Sequence, residues 1–272
     1  MGPAQWITCD GLRLAVEVTG EGPPLIYAHG LTGSRLQSQR LLGTLADRYR
    51  LITFDQRGHG GSSPVADPAL YEPSAMAGDV GAIMDSLGIE SAIVGGTSMG
   101  AATALLFALR YPQRVKQLVL SAPAFGDGPH PESAALQQIG LDVAALGIDR
   151  YIARLEAVDW PALGMTGEAM AARAAMLRSH NAASLALACE AVAGWVIMPD
   201  LSPLTCLDLP AMVIAWEGDA IHPIALARRI ATALPRSRLV LSSQQAYLNE
   251  VGMLARQCRP LLIGENIGES SY

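Results

Sequence analysis

The sequence predicts an α/β fold in which a mostly parallel sheet of eight strands carries helices on both faces. Three observations support this prediction. Short apolar runs bounded by turn residues alternate with helical patterns along most of the chain. The first two runs flank a two-residue turn and predict an antiparallel hairpin, whereas helical patterns separate the later runs, as parallel strands require. One long region without strand patterns interrupts this alternation.

The predicted hairpin joins the runs QWITC and LRLAVEV through Asp10-Gly11. The centres of the later runs are apolar throughout, which is typical of strands buried on both faces of a sheet. These later strands are PLIYAHG (24–30), RLITFD (50–55), SAIVGG (91–96), QLVLSA (117–122), AMVIAWEGD (211–219) and SRLVLSS (237–243).

Helical patterns lie between the strands, at 34–49, 72–89, 100–112 and 223–235. Residues 124–207 instead hold four Ala- and Leu-rich helical stretches with prolines near both ends. We therefore predict a core of residues 1–123 and 208–272 and a helical lid of residues 124–207, inserted between two strands. Such an insertion can cover the carboxyl ends of the strands, where ligands bind in open α/β sheets.

Composition narrows the class of protein. The chain has 272 residues, a formal charge of −6 and 16% charged residues, so a basic nucleic-acid-binding surface is not expected. Its four cysteines form no C-x-x-C pair, and no apolar run reaches the ~18 residues of a membrane span. The N-terminal segment lacks the features of a signal peptide. We expect a cytoplasmic protein that takes a small-molecule substrate and uses no nucleic acid, membrane, metal or cofactor; no oligomeric state is predicted.

The stretch VGGTSMGAA is the strongest chemical signal. Gly96-x-Ser98-x-Gly100 stands between a buried strand and an Ala-rich helix. This is the pattern of a nucleophile elbow, a tight strand-to-helix turn that exposes a serine hydroxyl. The glycines are required because side chains there would collide with neighbouring backbone. We predict that Ser98 is a nucleophile.

The stretch YAHGLTGS, which follows an earlier strand, is expected to supply a second part of the site, a backbone N–H group for the oxyanion. Attack by serine on a carbonyl makes an oxyanion, which two backbone N–H groups usually hold. One donor follows the serine, here Met99, and the other comes from an earlier loop, where we assign Leu31. His29 is expected to shape the loop by bonding to the backbone, and it is also a candidate for the pocket wall.

With these motifs the chain resembles the α/β-hydrolase superfamily, of the lid-bearing type. The resemblance covers essentially the whole chain. It implies an α/β-hydrolase fold and places the triad acid after the seventh strand, at Asp219, with Asp127 as the fallback. In the loop at 55–62, Arg57 and His59 are expected to hold the loop in place. The matching motifs are His29-Gly30, Asp55-x-Arg57-Gly58-His59-Gly60-x-Ser62, Gly96-x-Ser98-x-Gly100, and Gly218-Asp219 with Pro223.

The expected catalytic histidine is absent. The resemblance places it after the last strand, where the chain reads SSQQAYLNE, so Gln245 and Ala246 occupy the expected base position. Neither side chain can take a proton from serine. Three alternatives remain open. His222, three residues from Asp219, would need a rearranged loop to reach Ser98, His130 or His180 would have to reach from the lid, and His29 belongs to a rigid loop.

These residues predict a serine hydrolase for a small, largely apolar ester, lactone or ketone, acting through an acyl-enzyme at Ser98, with its base either replaced naturally or removed. The apolar lid composition predicts an apolar pocket, for which Trp160, Trp195 and His222 are further candidate wall residues. The alternative is a non-hydrolytic enzyme of the same fold, such as a lyase, cyclase or isomerase, or a ligand-binding protein that needs no triad histidine.

Overall fold

The computed structural model describes residues 4–262. In this part of the chain eight strands form one sheet in the order β1-β2-β4-β3-β5-β6-β7-β8. The first two strands pair antiparallel and β2 also runs antiparallel to β4, whereas the remaining pairs are parallel. The predicted eight-stranded, mostly parallel sheet is confirmed. The strands are β1 (Gln5–Cys9), β2 (Leu12–Thr19), β3 (Pro24–Ala28), β4 (Arg50–Phe54), β5 (Ala92–Thr97), β6 (Val115–Ser121), β7 (Ala211–Glu217) and β8 (Ser237–Ser243).

The central strands bury both faces of the sheet. Along β3, Ile26 and Ala28 pack into one hydrophobic cluster, and Leu25 and Tyr27 pack into another. This alternation follows from the two-residue period of a strand. Because both faces are covered, the runs lack the polar alternation of a half-exposed sheet, as the sequence indicated.

The last strand departs from that prediction. No residue of β8 is fully buried, and each one is either half-buried or exposed. It pairs only with β7 and lies at the edge of the sheet described here. A strand at an edge has a neighbour on one side, so its apolar centre does not indicate burial on both faces.

Helices connect the parallel strands and pack on both faces of the sheet. Polar side chains cap several of them: Ser34, Asn181 and Ser243 each accept a hydrogen bond from a backbone N–H of the first turn. The helices outside the insertion are α1 (Arg35–Leu42), α2 (Pro73–Ser86), α3 (Met99–Arg110), α9 (Ile224–Ala233), α10 (Gln244–Asn249) and α11 (Met253–Cys258).

Residues 124–207 form helices and no strand. A π-helical turn, Leu155–Asp159, joins two of these helices. The insertion leaves the sheet after β6 and returns at β7, so both of its ends lie between neighbouring strands. Its helices are α4 (Ser133–Leu146), α5 (Ile148–Arg154), α6 (Trp160–Ala162), α7 (Gly167–Arg178) and α8 (Ala182–Ala193). Among residues 4–262 no helix has both the length and the apolar character needed to cross a bilayer.

Candidate active site

Ser98 lies in the turn between β5 and α3, in a strained conformation. Its φ of 55° and ψ of −113° place it in a region that non-glycine residues rarely adopt. A Cβ on Gly96 would lie 2.2 Å from the carbonyl carbon of Gly100, and a Cβ on Gly100 would lie 2.2 Å from the carbonyl oxygen of Ala28. The two glycines therefore allow the turn to close and α3 to approach β3.

The loop after β3 lies beside this turn. A Cβ on Gly30 would stand 3.5 Å from Ser98 Cβ, so Leu31 follows a residue in near contact with the serine. Met99 is the first residue of α3, and the first N–H groups of a helix have no intrahelical acceptor. In the part of the chain that the structure describes, neither Leu31 nor Met99 donates its N–H to a backbone carbonyl. Both residues therefore keep an N–H group that no backbone carbonyl occupies, on the two segments that meet at Ser98.

Two buried histidines support that loop through contacts with the backbone. His29 Nδ1 lies 2.7 Å from the carbonyl oxygen of Gly30, and its Nε2 accepts a hydrogen bond of 2.9 Å from the N–H of Gln56. Burial and neighbouring His59 hold the pKa of His29 well below its ordinary value, so the ring is neutral. His59 Nε2 lies 2.6 Å from the carbonyl oxygen of Leu31. His29 does not line the main cavity described below, which corrects its assignment to the pocket wall.

Arg57 is buried away from the site and pairs with Asp79. Its Nε and Nη2 donate to the two carboxylate oxygens of Asp79 at 2.8 and 2.6 Å, and it also donates to the carbonyl oxygens of Leu70 and Ala75. The expectation that Arg57 holds the 55–62 loop in place agrees with these contacts.

A cavity of about 550 Å³ lies between the strand ends and the insertion, and we call it the main cavity. Its floor contains Ser98 and the loop Gly30–Gly33. Trp160 and Leu136 of the insertion line it from the other side, and Asp219 and His222 line it from the end of β7. Its wall is mostly apolar, as the sequence predicted, and its size suits a small organic ligand.

Asp219 and His222 form a hydrogen-bonded pair in this cavity. His222 Nδ1 lies 2.6 Å from Asp219 Oδ2, and the N–H groups of Ile221 and His222 donate to Asp219 Oδ1 at 2.9 and 3.2 Å. The His222 ring packs edge-on against Trp216, with the ring centres 5.3 Å apart. Burial alone would raise the pKa of Asp219, but the hydrogen bonds from the His222 side chain and from the two N–H groups lower it below its ordinary value.

The residues at the expected base position do not line the main cavity. After β8 the chain enters α10, whose N-cap Ser243 accepts from the N–H of Ala246. Helical periodicity then presents Gln244, Tyr247 and Leu248 to the cavity. Gln245 is exposed and its amide lies near Gly164, and Ala246 packs against the hydrophobic cluster that contains Trp216.

The other candidates lie elsewhere. Asp127 forms an ion pair with Arg229 and does not line the main cavity. Trp195 donates its indole N–H to the carbonyl oxygen of Tyr71, which corrects its assignment to the pocket. His130 Nε2 lies 2.9 Å from the carbonyl oxygen of Ile221, and His180 accepts from the N–H of Gly60, so both insertion histidines bind the core and neither lines the cavity.

One group of side chains among residues 4–262 could hold a metal ion. The ligand atoms of Cys9, Asp10 and Asp79 lie within 4.8 Å of one another. Both oxygens of Asp79 already bind Arg57, and none of the three residues lines the main cavity. The guanidinium supplies the positive charge that a cation would bring, so these residues do not fit a metal centre.

A family model of the alpha/beta hydrolase fold matches residues 23–245. The chain belongs to the α/β-hydrolase family. This α/β-hydrolase is 30% identical over 224 residues to 3-oxoadipate enol-lactonase 2 of Acinetobacter baylyi, and the match covers 80% of each protein. It is 37% identical over 119 residues to an epoxide hydrolase of Caballeronia sordidicola, of which the match covers 36%.

Solved structures agree with that membership. The enol-lactonase of Burkholderia xenovorans LB400 superposes with a TM-score of 0.76 at 23% identity, over 89% of this chain and 93% of that one. A thermophilic esterase of Thermogutta terrifontis superposes with a TM-score of 0.71 at 26% identity, over 95% of this chain and 94% of that one. The predicted fold and superfamily are confirmed. The relatives named above are enol-lactonases, an epoxide hydrolase and an esterase, and this chain is an enzyme of the hydrolase class.

Proposed function

We propose that this enzyme is a serine hydrolase for a small, largely apolar ester or lactone, with Ser98 as nucleophile and His222 as its base. The observation that carries the proposal is the 2.6 Å hydrogen bond between His222 Nδ1 and Asp219 in the cavity that contains Ser98. Asp219 holds the ring, and Leu31 and Met99 supply the oxyanion donors. In this proposal the base is His222, three residues after the acid Asp219, and no histidine is needed at 245 or 246.

The bond at Nδ1 selects the tautomer that a general base needs. A carboxylate that accepts from Nδ1–H leaves the lone pair on Nε2, and that nitrogen takes the serine proton in a triad. Nε2 of His222 has no hydrogen-bond partner among the described residues, whereas both ring nitrogens of His29 and of His59 lie within 3 Å of a backbone group. His222 is therefore the cavity histidine with a nitrogen available for chemistry.

The strand order supports this geometry. β6 separates β5, which ends before Ser98, from β7, which ends before Asp219. Two spacings of ~4.8 Å put the strand ends about 10 Å apart. Such a gap can be spanned by an aspartate side chain, an imidazole and a serine side chain in a row. The turn at 219–222 can therefore direct His222 toward Ser98 without any change in the sheet.

The reaction then follows from the roles. Ser98 Oγ attacks the carbonyl carbon while His222 takes its proton, and the Leu31 and Met99 N–H groups stabilise the oxyanion. As the intermediate collapses, the protonated His222 gives its proton to the leaving alkoxide and the acyl group stays on Ser98. Water, deprotonated by His222, then attacks the acyl-enzyme and releases the acid and the free serine.

Two further features fit this substrate class. The mostly apolar cavity wall suits an apolar acyl or alkyl group, and the helical insertion that covers it acts as a lid that limits water access. The enol-lactonase and esterase among the relatives favour an ester or lactone over a ketone.

The test is the hydrolysis of short 4-nitrophenyl esters by purified variants. We expect Ser98→Ala and His222→Asn each to lower kcat by about 10⁴-fold or more, as loss of a triad member does in serine proteases. Asparagine at 222 can still donate to Asp219, which preserves the loop while removing the base. Unfolding temperatures check that both variants are folded.

Histidine substitutions at the alternative positions provide the control. If His222 is the base, Gln244→His, Gln245→His and Ala246→His leave the wild-type rate nearly unchanged and do not rescue His222→Asn. A large gain from Ala246→His or Gln245→His in the wild-type background, with no loss in His222→Asn, would show instead that the triad base was lost from α10. An intact fold with no ester or lactone turnover in any of these proteins would favour non-hydrolytic chemistry.

A further inference from the structure

Arg173 is a cation in the main cavity without an acidic partner. It lies on α7 of the insertion, half-buried, and lines the cavity together with Ser98. Its Nη2 donates to Thr32 Oγ1 at 3.2 Å. Within residues 4–262 no carboxylate forms an ion pair with it. A half-buried guanidinium keeps several N–H donors that one hydroxyl cannot satisfy.

The other charged groups of the cavity differ from Arg173. Arg154 also lines it, but Asp142 neutralises that guanidinium at 2.8 Å. Asp219 is engaged by His222. Asp159 is the remaining acid of the wall and lies on the π-helical turn before Trp160, whereas Arg173 binds the loop that follows Leu31. The uncompensated positive charge is therefore located beside the oxyanion loop.

A second cavity of about 450 Å³ opens on the other side of Arg173, between α1 and α7. Arg173, Gln37 and Tyr247 line both cavities, so they form a shared polar wall. Burial raises the pKa of Tyr247 to about 12, partly offset by the positive charge of Arg173, so the phenol is neutral and can donate a hydrogen bond. One cation and two neutral hydrogen-bonding side chains thus converge on a small region of an otherwise apolar space.

We propose that Arg173 binds a carboxylate of the substrate, so that this hydrolase acts on esters or lactones that carry a free acid group. The proposal rests on the hydrolytic function proposed above. Guanidinium groups bind carboxylates through paired, charge-assisted hydrogen bonds, and a carboxylate would satisfy the charge that Thr32 leaves uncompensated. Gln37 and Tyr247 line the same wall and supply neutral hydrogen-bonding groups beside that guanidinium.

The experiment compares two esters of nearly equal shape, mono-4-nitrophenyl glutarate, which is an anion, and 4-nitrophenyl pentanoate, which is neutral. We expect the wild-type enzyme to favour the anion in kcat/KM. Arg173→Met should lower kcat/KM for the anion by about ten-fold or more, mainly through KM, and leave the neutral ester within about two-fold. Arg173→Lys should restore part of the preference.

Two variants distinguish two roles for Arg173, binding of a substrate carboxylate and attachment of the insertion to the loop that contains Thr32. Arg154→Met removes a second cavity arginine whose charge is already paired, and we expect it to keep the anion preference. Thr32→Val removes the hydrogen bond between Arg173 and the loop but keeps the cation, and it should keep the preference as well. Equal losses for both esters in Arg173→Met, or loss of the preference in Thr32→Val, would show that Arg173 only fastens the insertion and would overturn the proposal.

Direct binding separates failure of this proposal from failure of the hydrolase assignment. If neither ester is turned over, isothermal titration of wild-type protein with glutarate decides. Binding that Arg173→Met abolishes and Arg154→Met retains supports the carboxylate site without hydrolysis. Turnover of the neutral ester with no anion preference and no glutarate binding leaves the hydrolase and rules out the carboxylate site.

Discussion

Replacing Asp219 by asparagine tests how the acid controls the base. The change keeps the shape of the side chain, and its amide oxygen can still accept from the N–H groups of Ile221 and His222. The amide NH₂ would then face His222 Nδ1, where the carboxylate oxygen now lies at 2.6 Å. An NH₂ group donates, so it forces the proton of the imidazole onto Nε2.

The expected loss is large because that tautomer cannot accept a proton from Ser98. In serine proteases the same exchange lowers kcat by about 10⁴-fold, which corresponds to about 5 kcal/mol of transition-state stabilisation. The effect on folding is smaller. Asp219 has a lowered pKa in the folded state, so its contribution to stability is present above its ordinary pKa of 3.8 and is lost as the pH falls through the lowered value. Asp219→Asn should therefore cost about 1 kcal/mol near neutral pH.

The assay is steady-state hydrolysis of a 4-nitrophenyl ester near neutral pH, with urea unfolding as the measure of stability. Asp127→Asn is the matched control, because Asp127 pairs with a largely exposed arginine away from the cavity, and we expect about wild-type kinetics from it. A folded Asp219→Asn enzyme within about ten-fold of the wild-type kcat, or a large loss in Asp127→Asn, would refute the reasoning.

Three further predictions concern stability, measured by urea unfolding. Burial and neighbouring His59 lower the pKa of His180 from 6.5 to about 3, so the free energy of unfolding should fall as the pH drops below 6.5, and His180→Asn should reduce that slope by up to about 1.4 kcal/mol per pH unit. Asp79→Asn removes the buried carboxylate that pairs with Arg57 and leaves the largely exposed Asp10 as its acidic partner, so it should cost about 3 kcal/mol. Asp85→Asn, whose carboxylate is largely exposed, should cost under about 1 kcal/mol. Gly100→Ala, which meets backbone at 2.2 Å, should cost more than about 2 kcal/mol, whereas Gly78→Ala, with open space in α2, should gain about 0.5–1 kcal/mol. An unchanged pH slope in His180→Asn would contradict the argument from the His180 pKa. A loss of stability in Asp85→Asn as large as in Asp79→Asn, or in Gly78→Ala as large as in Gly100→Ala, would contradict the argument for that pair.

The fold was accessible from the sequence because its signals are local. Apolar runs and turn residues located all eight strands, with β6 beginning two residues before the run at 117–122, and the Ala-rich stretches at 124–207 gave the insertion helices. The partial exposure of β8 could not be predicted from the sequence. Its apolar centre does not reveal that β8 is an edge strand with a neighbouring strand on one side only. Pairing partners are set by tertiary structure, which periodicity alone does not report.

The site was predictable only in part. The positions of Ser98, Leu31 and Asp219 follow from motifs at strand ends, which parallel strands bring to one edge of the sheet. His222 has no such motif, and its pairing with Asp219 depends on the turn at 219–222, which lets both backbone N–H groups and the ring reach one carboxylate. The spacing of three residues between Asp219 and His222 was the available signal. Positions 245 and 246, where the resemblance places the base, do not line the main cavity, because α10 begins at Gln244 and presents Gln244 and Tyr247 to it instead.

The most direct test of the central claim is the rate at which a fluorophosphonate modifies Ser98, because this reagent reports activation of the serine without any assumption about the substrate. Intact-mass and peptide mass spectrometry locate the adduct. If His222 activates Ser98, the wild-type protein is modified at Ser98, Ser98→Ala is not modified, and His222→Asn reacts at least about 10³-fold more slowly. Equal rates for the wild-type and His222→Asn proteins, or no modification of the folded wild-type protein, would contradict the assignment of His222 as the base.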